Sequence, residues 1–78
     1  MVSRVQLELR GLDSTALKML QMAAVGATNQ EIALRLCLNI FQVKRIMSGA
    51  FRGLGARSRT HAVVLAVQEG LIEIGRDR

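Results

Sequence analysis

The chain has almost no aromatic residues. Trp and Tyr are absent, and Phe occurs twice among 78 residues. Proteins that bind single-stranded nucleic acid without sequence preference stack successive bases on aromatic side chains. This mode of binding does not suit the sequence, and a nucleic-acid partner is expected to be a duplex.

Cysteine and proline are also scarce. Cys37 is the single cysteine, which excludes an internal disulfide and a cysteine-based metal site and is typical of a reducing compartment. Because proline is absent, helix boundaries must be predicted from capping residues and glycines.

No hydrophobic run is long enough to cross a bilayer. The longest uninterrupted apolar stretch covers residues 62–67, whereas a transmembrane helix needs roughly 18–20 residues. The first ten residues lack the continuous apolar segment and the cleavage site of a secretory signal. We therefore expect a cytoplasmic protein that has no contact with a membrane.

The residue groupings that catalysis requires are missing as well. The sequence has no paired carboxylates, no nucleophile beside a general base and no phosphate-binding glycine loop, so we predict no catalytic residues, no cofactor and no metal. His61 has no carboxylate or cysteine near it in sequence and is expected to be a surface histidine. The expected function is binding rather than chemistry.

Acidic residues are absent from the middle of the chain. Between Ile32 and Gln68 there is no Asp or Glu, and the whole chain has a formal net charge of +5. The basic residues of this stretch are Arg35, Lys44, Arg45, Arg52, Arg57 and Arg59. Such a surface favours a polyanionic partner, and duplex DNA is the best candidate.

Four short helices are predicted from caps and glycines. Their expected ranges are about 14–25, 29–36, 40–54 and 59–69. The expected N-caps are Asp13, Thr28, Asn39 and Ser58, of which Thr28-x-x-Glu31 and Asn39-x-x-Gln42 have the form of capping boxes. The expected stops after the first, third and fourth helices are Gly26, Gly55 and Gly70. The fold class predicted from these signals is all-α.

The ends of the chain are less clearly patterned. Val5, Leu7 and Leu9 alternate with polar residues, which is compatible with a short extended arm or a linker, and no element is assigned there. The charged end 76–78 is expected to be frayed. The predicted organisation is an N-terminal arm (1–11), a helical domain (12–72) and a C-terminal tail (73–78).

The spacing of caps, glycines and apolar residues resembles that of the LuxR/GerE family of bacterial helix-turn-helix DNA-binding domains. The resemblance covers roughly residues 12–72. It rests on Thr28-Asn29-Gln30-Glu31-Ile32-Ala33, on Val43-Lys44-Arg45 and on Leu54-Gly55-Ala56-Arg57-Ser58-Arg59-Thr60. It implies a four-helix domain whose third helix lies in the major groove of DNA with its N-terminal turns toward the base edges. It also implies that Cys37 has a buried, inert thiol, because the family has a large apolar side chain at this position.

The third predicted helix has two distinct faces. Helical spacing predicts that the core is faced by Val43, Met47, Ala50 and Leu54. The residues that then face outward are Lys44, Arg45, Ser48 and Arg52. The resemblance implies that bases are contacted by Lys44, Arg45 and Ser48. Because serine discriminates little between bases, specificity is expected to rest on Lys44 and Arg45. Phosphate contacts are expected from Thr28, Asn29, Gln30, Gln42, Arg52, Arg57 and Arg59.

This helix also departs from the family pattern. Ile46, Gly49 and Gly53 stand where histidine, asparagine and lysine are common, and apolar residues at 40–41 stand where polar ones are usual. Two glycines inside a helix cost about 1 kcal/mol each relative to alanine. Phe41 and Ile46 are expected to be exposed and to contact either thymine methyl groups or a protein.

The fourth predicted helix is apolar on every side and therefore needs partners on more than one face. Its Ala62, Leu65 and Ala66 are expected to pack on the domain's own core. A seam for the matching helix of a second subunit is then left at Thr60, Val64, Val67 and Leu71. The alternative is that the valines lie under the N-terminal arm of the same chain.

The sequence thus predicts a transcription regulator that binds double-stranded DNA as a homodimer and is nucleoid-associated when bound. One alternative is an interaction protein that antagonises a larger LuxR-type regulator through its fourth helix or its Phe41/Ile46 surface. The missing basic residues at Gln30, Ser48 and Gly53 support this alternative, and the Lys44-Arg45 pair argues against it. Another is the promoter-binding helix-turn-helix of a sigma-like factor. The sequence does not separate a free-standing regulator from the effector domain of a longer protein.

Overall fold

The computed structural model describes residues 3–74, which form five α-helices and no β-strand. The helices are α1 (Arg4–Leu9), α2 (Ser14–Ala24), α3 (Asn29–Leu36), α4 (Ile40–Leu54) and α5 (Arg59–Gln68). The predicted all-α class is confirmed. Helices α2 to α5 are the four that the sequence predicts, and their ends lie within one residue of the expected positions.

The predicted caps explain this agreement. The side chains of Thr28 and Asn39 each accept a hydrogen bond from the backbone N–H three residues later, and Glu31 and Gln42 reciprocate in two complete capping boxes. Asp13 and Ser58 cap α2 and α5 in the same way, without the reciprocal bond. These bonds satisfy backbone donors that have no partner inside the helix.

The sequence left the N-terminal segment without an assigned element, and in the structure its residues 4–9 form a helix. Ser3 and Gln6 make a third capping box. At the other end, Gly11 has a φ of +78°, and the N–H of Leu12 donates to the Leu7 carbonyl at 2.8 Å. Together with the hydrogen bond from the Gly11 N–H to the Glu8 carbonyl at 3.0 Å, this is a Schellman ending. The alternation of Val5, Leu7 and Leu9 suggested a strand period, but the caps determine the element.

Helix α4 occupies the centre of the packing and contacts α2, α3 and α5. Its predicted inner face is confirmed, since Val43, Met47, Ala50 and Leu54 are all buried. The rest of the core comes from Leu12, Ala16, Met19, Leu20, Ile32, Ala33, Ala62, Ala66 and Ile72. No polar or charged side chain is buried in the described residues, so the domain is held mainly by apolar contact.

The turn after α1 packs directly on the second half of α4. A Cβ atom added to Gly53 would lie 1.7 Å from the Arg10 carbonyl oxygen, and one added to Gly11 would lie 3.0 Å from the Gly49 carbonyl oxygen. Arg10 Nε donates to the Gly53 carbonyl at 3.0 Å, and its Nη2 pairs with Glu69 at 3.2 Å. Arg10 therefore joins α1, α4 and the end of α5.

The segment after α5 is held against α2. Ile72 is buried in the core. The side-chain amide of Gln21 accepts from the Glu73 N–H at 3.1 Å and donates to the Glu73 carbonyl. The predicted frayed end at 76–78 lies outside the described residues. In the part that is described, no helix has the length and hydropathy of a bilayer-spanning segment.

Candidate nucleic-acid interface

The outward face of α4 carries the three residues that were expected to meet bases. Lys44, Arg45 and Ser48 are exposed, as is Arg52 one turn further on. Ser48 follows Lys44 by four residues and Arg45 by three, and Arg52 follows Ser48 by four, which places them on one side of a helix. The opposite side is the buried row that begins at Val43. The division between inner and outer faces is therefore as predicted.

Within the part of the chain that the structure describes, no ion pair engages the cations of this face. Among residues 3–74 the ion pairs are Arg4–Glu8 and Arg10–Glu69, and neither involves α4. Because no acidic residue occurs between Glu31 and Glu69, no carboxylate competes for these side chains from the same stretch of chain. Their charges are available to an anionic partner.

The two apolar residues that were expected on this surface have different surroundings. Phe41 is 76% exposed, in the first turn of α4. Ile46 is half-buried and packs against the core, so the prediction that it is exposed was wrong. The reason is that Ile46 is three residues after Val43 and four before Ala50 and so borders the buried row, whereas Phe41 lies on the other side of the helix.

The turn between α3 and α4 determines where α4 begins. Cys37 occupies the left-handed region with a φ of 58°, and the N–H of Leu38 donates to the Ala33 carbonyl at 2.9 Å. The Cys37 side chain is exposed, which contradicts the predicted buried thiol. The position is one that glycine usually fills, and the backbone reversal there directs the side chain outward.

The polar residues at the start of α4 and α3 are used for capping. Asn39 Oδ1 accepts from the Gln42 N–H at 2.8 Å, and Gln42 Oε1 accepts from the Asn39 N–H at 2.9 Å. Gln42 was also predicted to hold a phosphate, and its amide nitrogen, a donor, is not used in the box. The box orients this donor at the N-terminal end of the outward face.

Thr28 and Glu31 make the corresponding box at the start of α3. The Thr28 N–H donates to Glu31 Oε1 at 2.8 Å, and the Glu31 N–H donates to Thr28 Oγ1 at 3.1 Å. The backbone hydrogen bond from Thr28 is the largest influence that lowers the pKa of Glu31, because it stabilises the charged carboxylate. Gln30, in the same turn, is exposed and accessible to a phosphate.

Arg59 has a structural role that the sequence did not reveal. Its Nη1 donates to Asn29 Oδ1 and its Nη2 to the Ala27 carbonyl, both at 2.7 Å. These bonds join the start of α5 to the start of α3. Arg59 and Asn29 were both predicted to contact phosphates, and each is at least partly committed to the other. The phosphate contacts themselves stay a prediction.

The loop before α5 places Arg57 and His61 together. The Arg57 N–H donates to His61 Nδ1 at 3.0 Å, and the Arg57 side chain is exposed. His61 is half-buried and not the fully surface histidine that was expected. Arg57 is therefore a better candidate for a phosphate contact than Arg59, whose guanidinium is already bonded.

The predicted seam of α5 lies on the side opposite Ala62 and Ala66, which are buried as expected. Its members differ in exposure, because Thr60 and Val64 are exposed while Val67 and Leu71 are half-buried and pack against the core. Leu65, expected in the core, is also half-buried. The most accessible apolar member of the seam is Val64, at 43%.

Residues 3–74 contain no group of three or more His, Cys, Asp or Glu side chains that would hold a metal ion. The site consists instead of an exposed basic helix face, held by capped turns and by a buried apolar row. Comparisons of the chain with protein-family models, curated proteins and solved structures found no match.

Proposed function

We propose that this chain is a LuxR/GerE-type transcription regulator that binds duplex DNA as a homodimer. In this proposal α3 and α4 are the helix-turn-helix, and α4 lies in the major groove with its first turns toward the base edges. Lys44 and Arg45 carry most of the base discrimination, and Ser48 adds a weaker contact. The N-terminal ends of α3 and α4, together with Arg52 and Arg57, contact the phosphates.

The observation that carries the proposal is the outward face of α4. It combines exposed Lys44, Arg45, Ser48 and Arg52 with the absence of any acidic residue between Glu31 and Glu69. An exposed row of cations without carboxylate partners suits a polyanion. Helix α4 is at least three turns long, capped at both ends and exposed along one side. A major groove admits a helix of these dimensions.

One departure from the family pattern has a packing explanation. Gly53 stands where the family commonly has lysine, which at the sequence level counted against DNA binding. In this chain the Arg10 carbonyl occupies the space that a side chain at position 53 would need. The glycine is accounted for by the docking of α1, so it no longer supports the alternative.

A second candidate is the interaction protein that antagonises a larger LuxR-type regulator. The exposure of Leu34 (80%) and Phe41 (76%) near the turn favours it, since large exposed apolar side chains are common at protein interfaces. The sigma-like alternative gains no support from these features. The DNA-binding proposal explains both the cations and their lack of partners, whereas the antagonist explains only the apolar residues.

Salt dependence of binding distinguishes the two candidates. Gel-shift assays on genomic fragments, repeated over a range of salt concentrations, should give a log–log slope of about −5 to −8 for a dimer that makes six to nine phosphate contacts. A slope near zero, or no binding at low salt, would contradict the proposal and favour the antagonist.

The homodimer is tested most cleanly at Val64, because Val67 and Leu71 also pack on the chain's own core. Val64→Glu places a charge in the proposed contact. We expect a monomer that keeps its helical circular dichroism and binds DNA at least tenfold more weakly, since the two half-sites are no longer held by one linked dimer. Sedimentation measures the change in mass.

Val25→Glu is the matched control, because Val25 is 68% exposed at the end of α2 and outside the seam. It introduces the same charge in place of the same side chain and should leave the mass unchanged. A wild type that is monomeric at high concentration, or a Val64→Glu variant that dimerises as well as the parent, would contradict the α5 interface.

A further inference from the structure

Phe41 is mostly exposed and is not among the apolar side chains that pack against the core. The two phenylalanines of the chain differ in this respect, because Phe51 is half-buried and packs against the core, whereas Phe41 is 76% exposed. Leaving a phenyl ring in water forgoes the free energy that its burial would give. The ring of Phe41 is therefore available for a contact outside the chain.

Phe41 also lies on the same side of α4 as the cations. It precedes Lys44 by three residues and Arg45 by four, which are the spacings of neighbouring side chains on a helix surface. Ser48 continues the row one turn later, and all four residues are exposed. The ring is in the first turn, the part of a recognition helix that is directed at base edges in a helix-turn-helix complex.

A phenyl ring can read only one feature of the major-groove edges directly. It has no hydrogen-bond donor or acceptor, and the only apolar group that a base pair presents there is the C5-methyl of thymine. The neighbouring cations favour a nucleic acid over an apolar protein surface as the occupant of this face, since their charge is complementary to phosphate.

We infer that Phe41 is a specificity-determining residue that contacts a thymine methyl group in each half-site. The inference rests on the proposed DNA-binding function and makes it more specific. The half-site contains an A·T pair with its thymine methyl against Phe41, next to the base pairs contacted by Lys44 and Arg45. The α4 face thus combines one apolar contact with adjacent polar ones.

The test removes the methyl group from the DNA. A duplex selected from a random library by the wild-type protein is remade with deoxyuridine in place of each thymine in turn, so that only the C5-methyl is lost. Binding is measured by fluorescence anisotropy at one fixed salt concentration. We expect one thymine in each half-site whose replacement weakens binding by about fourfold. Replacing both of these symmetry-related thymines should weaken binding by about 15-fold.

Phe41→Ala provides the second arm. This variant should bind the thymine duplex more weakly than the wild type and should bind the thymine and deoxyuridine duplexes equally, because the partner of the methyl group is gone. Val25→Ala removes apolar surface at a position that is also mostly exposed but outside α4, and it should keep the wild-type preference for thymine.

The outcomes distinguish failure of the DNA-binding function from failure of the Phe41 contact alone. If the wild type selects no duplex even at low salt, the DNA-binding function and this inference both fail. If it binds DNA but tolerates deoxyuridine at every position, or if Phe41→Ala keeps the preference for thymine, the DNA-binding function survives and the inference is overturned. Phe41 would then be free to serve a protein contact.

Discussion

The two halves of α4 relate to the rest of the molecule in opposite ways. In the first half, Phe41, Lys44, Arg45 and Ser48 extend outward and are exposed. In the second half, Gly49 and Gly53 have no side chains, and the turn at Arg10 and Gly11 packs against the bare helix backbone. The turn thus covers one side of the second half, although Arg52 continues the exposed row there.

This difference shows how a small domain can present a long helix. Helix α4 has 15 residues, and its inner row is buried along most of its length. The turn at Arg10 and Gly11 holds the glycine side of its second half through close backbone contact, so the first half need not be covered in order to be fixed. The side chains on the outer side of the first half can then stay exposed.

The largest predicted effect concerns the first half. Lys44→Ala and Arg45→Ala should each weaken binding to the selected site by about 1–3 kcal/mol and relax the preference at one base pair. Both should leave the midpoint of urea unfolding unchanged, because neither residue forms an ion pair within residues 3–74. Anisotropy with matched and mismatched duplexes measures the first effect.

Two charge-matched controls accompany this experiment. Lys18→Ala removes one positive charge from an exposed position on α2 and should have little effect on binding. Arg57→Ala should weaken all sequences alike, since a phosphate contact carries no base information. Unchanged sequence preference in the double variant Lys44→Ala/Arg45→Ala would mean that another face of the domain reads the bases.

The second prediction concerns the other half of α4. In Gly53→Ala the new Cβ meets the Arg10 carbonyl at 1.7 Å, a backbone atom that cannot rotate away. We expect the free energy of unfolding to fall by about 1–3 kcal/mol. Gly49→Ala has open space around its new Cβ and should stabilise the protein by about 0.5–1 kcal/mol through better helix propensity.

Urea unfolding of Gly53→Ala and Gly49→Ala tests directly whether the Arg10 turn packs against the second half of α4. Opposite signs at two glycines four residues apart would support the docking of α1 on α4. Equal stabilisation by the two alanines would mean that the Arg10 turn does not lie against Gly53.

The smallest predicted effect concerns the N-terminal cap of α3, the helix that packs beside α4. The hydrogen bonds from Thr28 lower the pKa of Glu31, so its folded-state pKa is below the ordinary value of about 4.3. The associated stability is present above that value and is lost as the pH falls through the folded-state pKa. Stability should therefore decrease on acidification through this range.

Glu31→Gln isolates this contribution. Glutamine can complete the same capping box without a titrating group, so the variant should keep its cap at every pH and lose less stability on acidification than the wild type. Urea unfolding at pH 7 and near pH 3 makes the comparison. Identical pH dependence in both proteins would show that the charge of Glu31 does not contribute to stability in solution.

Local signals in the sequence predicted most of the fold. Asp13, Thr28, Asn39 and Ser58 cap the helices that were assigned to them, because each satisfies backbone donors of its own helix and needs no distant partner. The same kind of signal existed for α1 in Ser3-x-x-Gln6 and Gly11. The alternation of apolar residues in that segment obscured it.

Contacts between distant residues could not be predicted in this way. Arg10 bonds to Gly53 and Glu69, and Arg59 bonds to Ala27 and Asn29, across separations that no local pattern encodes. Gly53 therefore looked like a weakness of α4, although it is the site at which α1 docks. The exposure of Cys37 was missed because the family resemblance implied a buried side chain at this position, whereas the left-handed backbone of this turn leaves the side chain exposed.

The central claim is that the first half of α4 is the surface that meets DNA, and an NMR titration tests it most directly. Amide resonances of the ¹⁵N-labelled chain are followed while the selected duplex is added at constant salt. The account predicts the largest shifts at residues 40–48 and at the start of α3, with α1 little affected. Shifts centred on α1 or on the outer face of α5, with residues 40–48 unchanged, would contradict it.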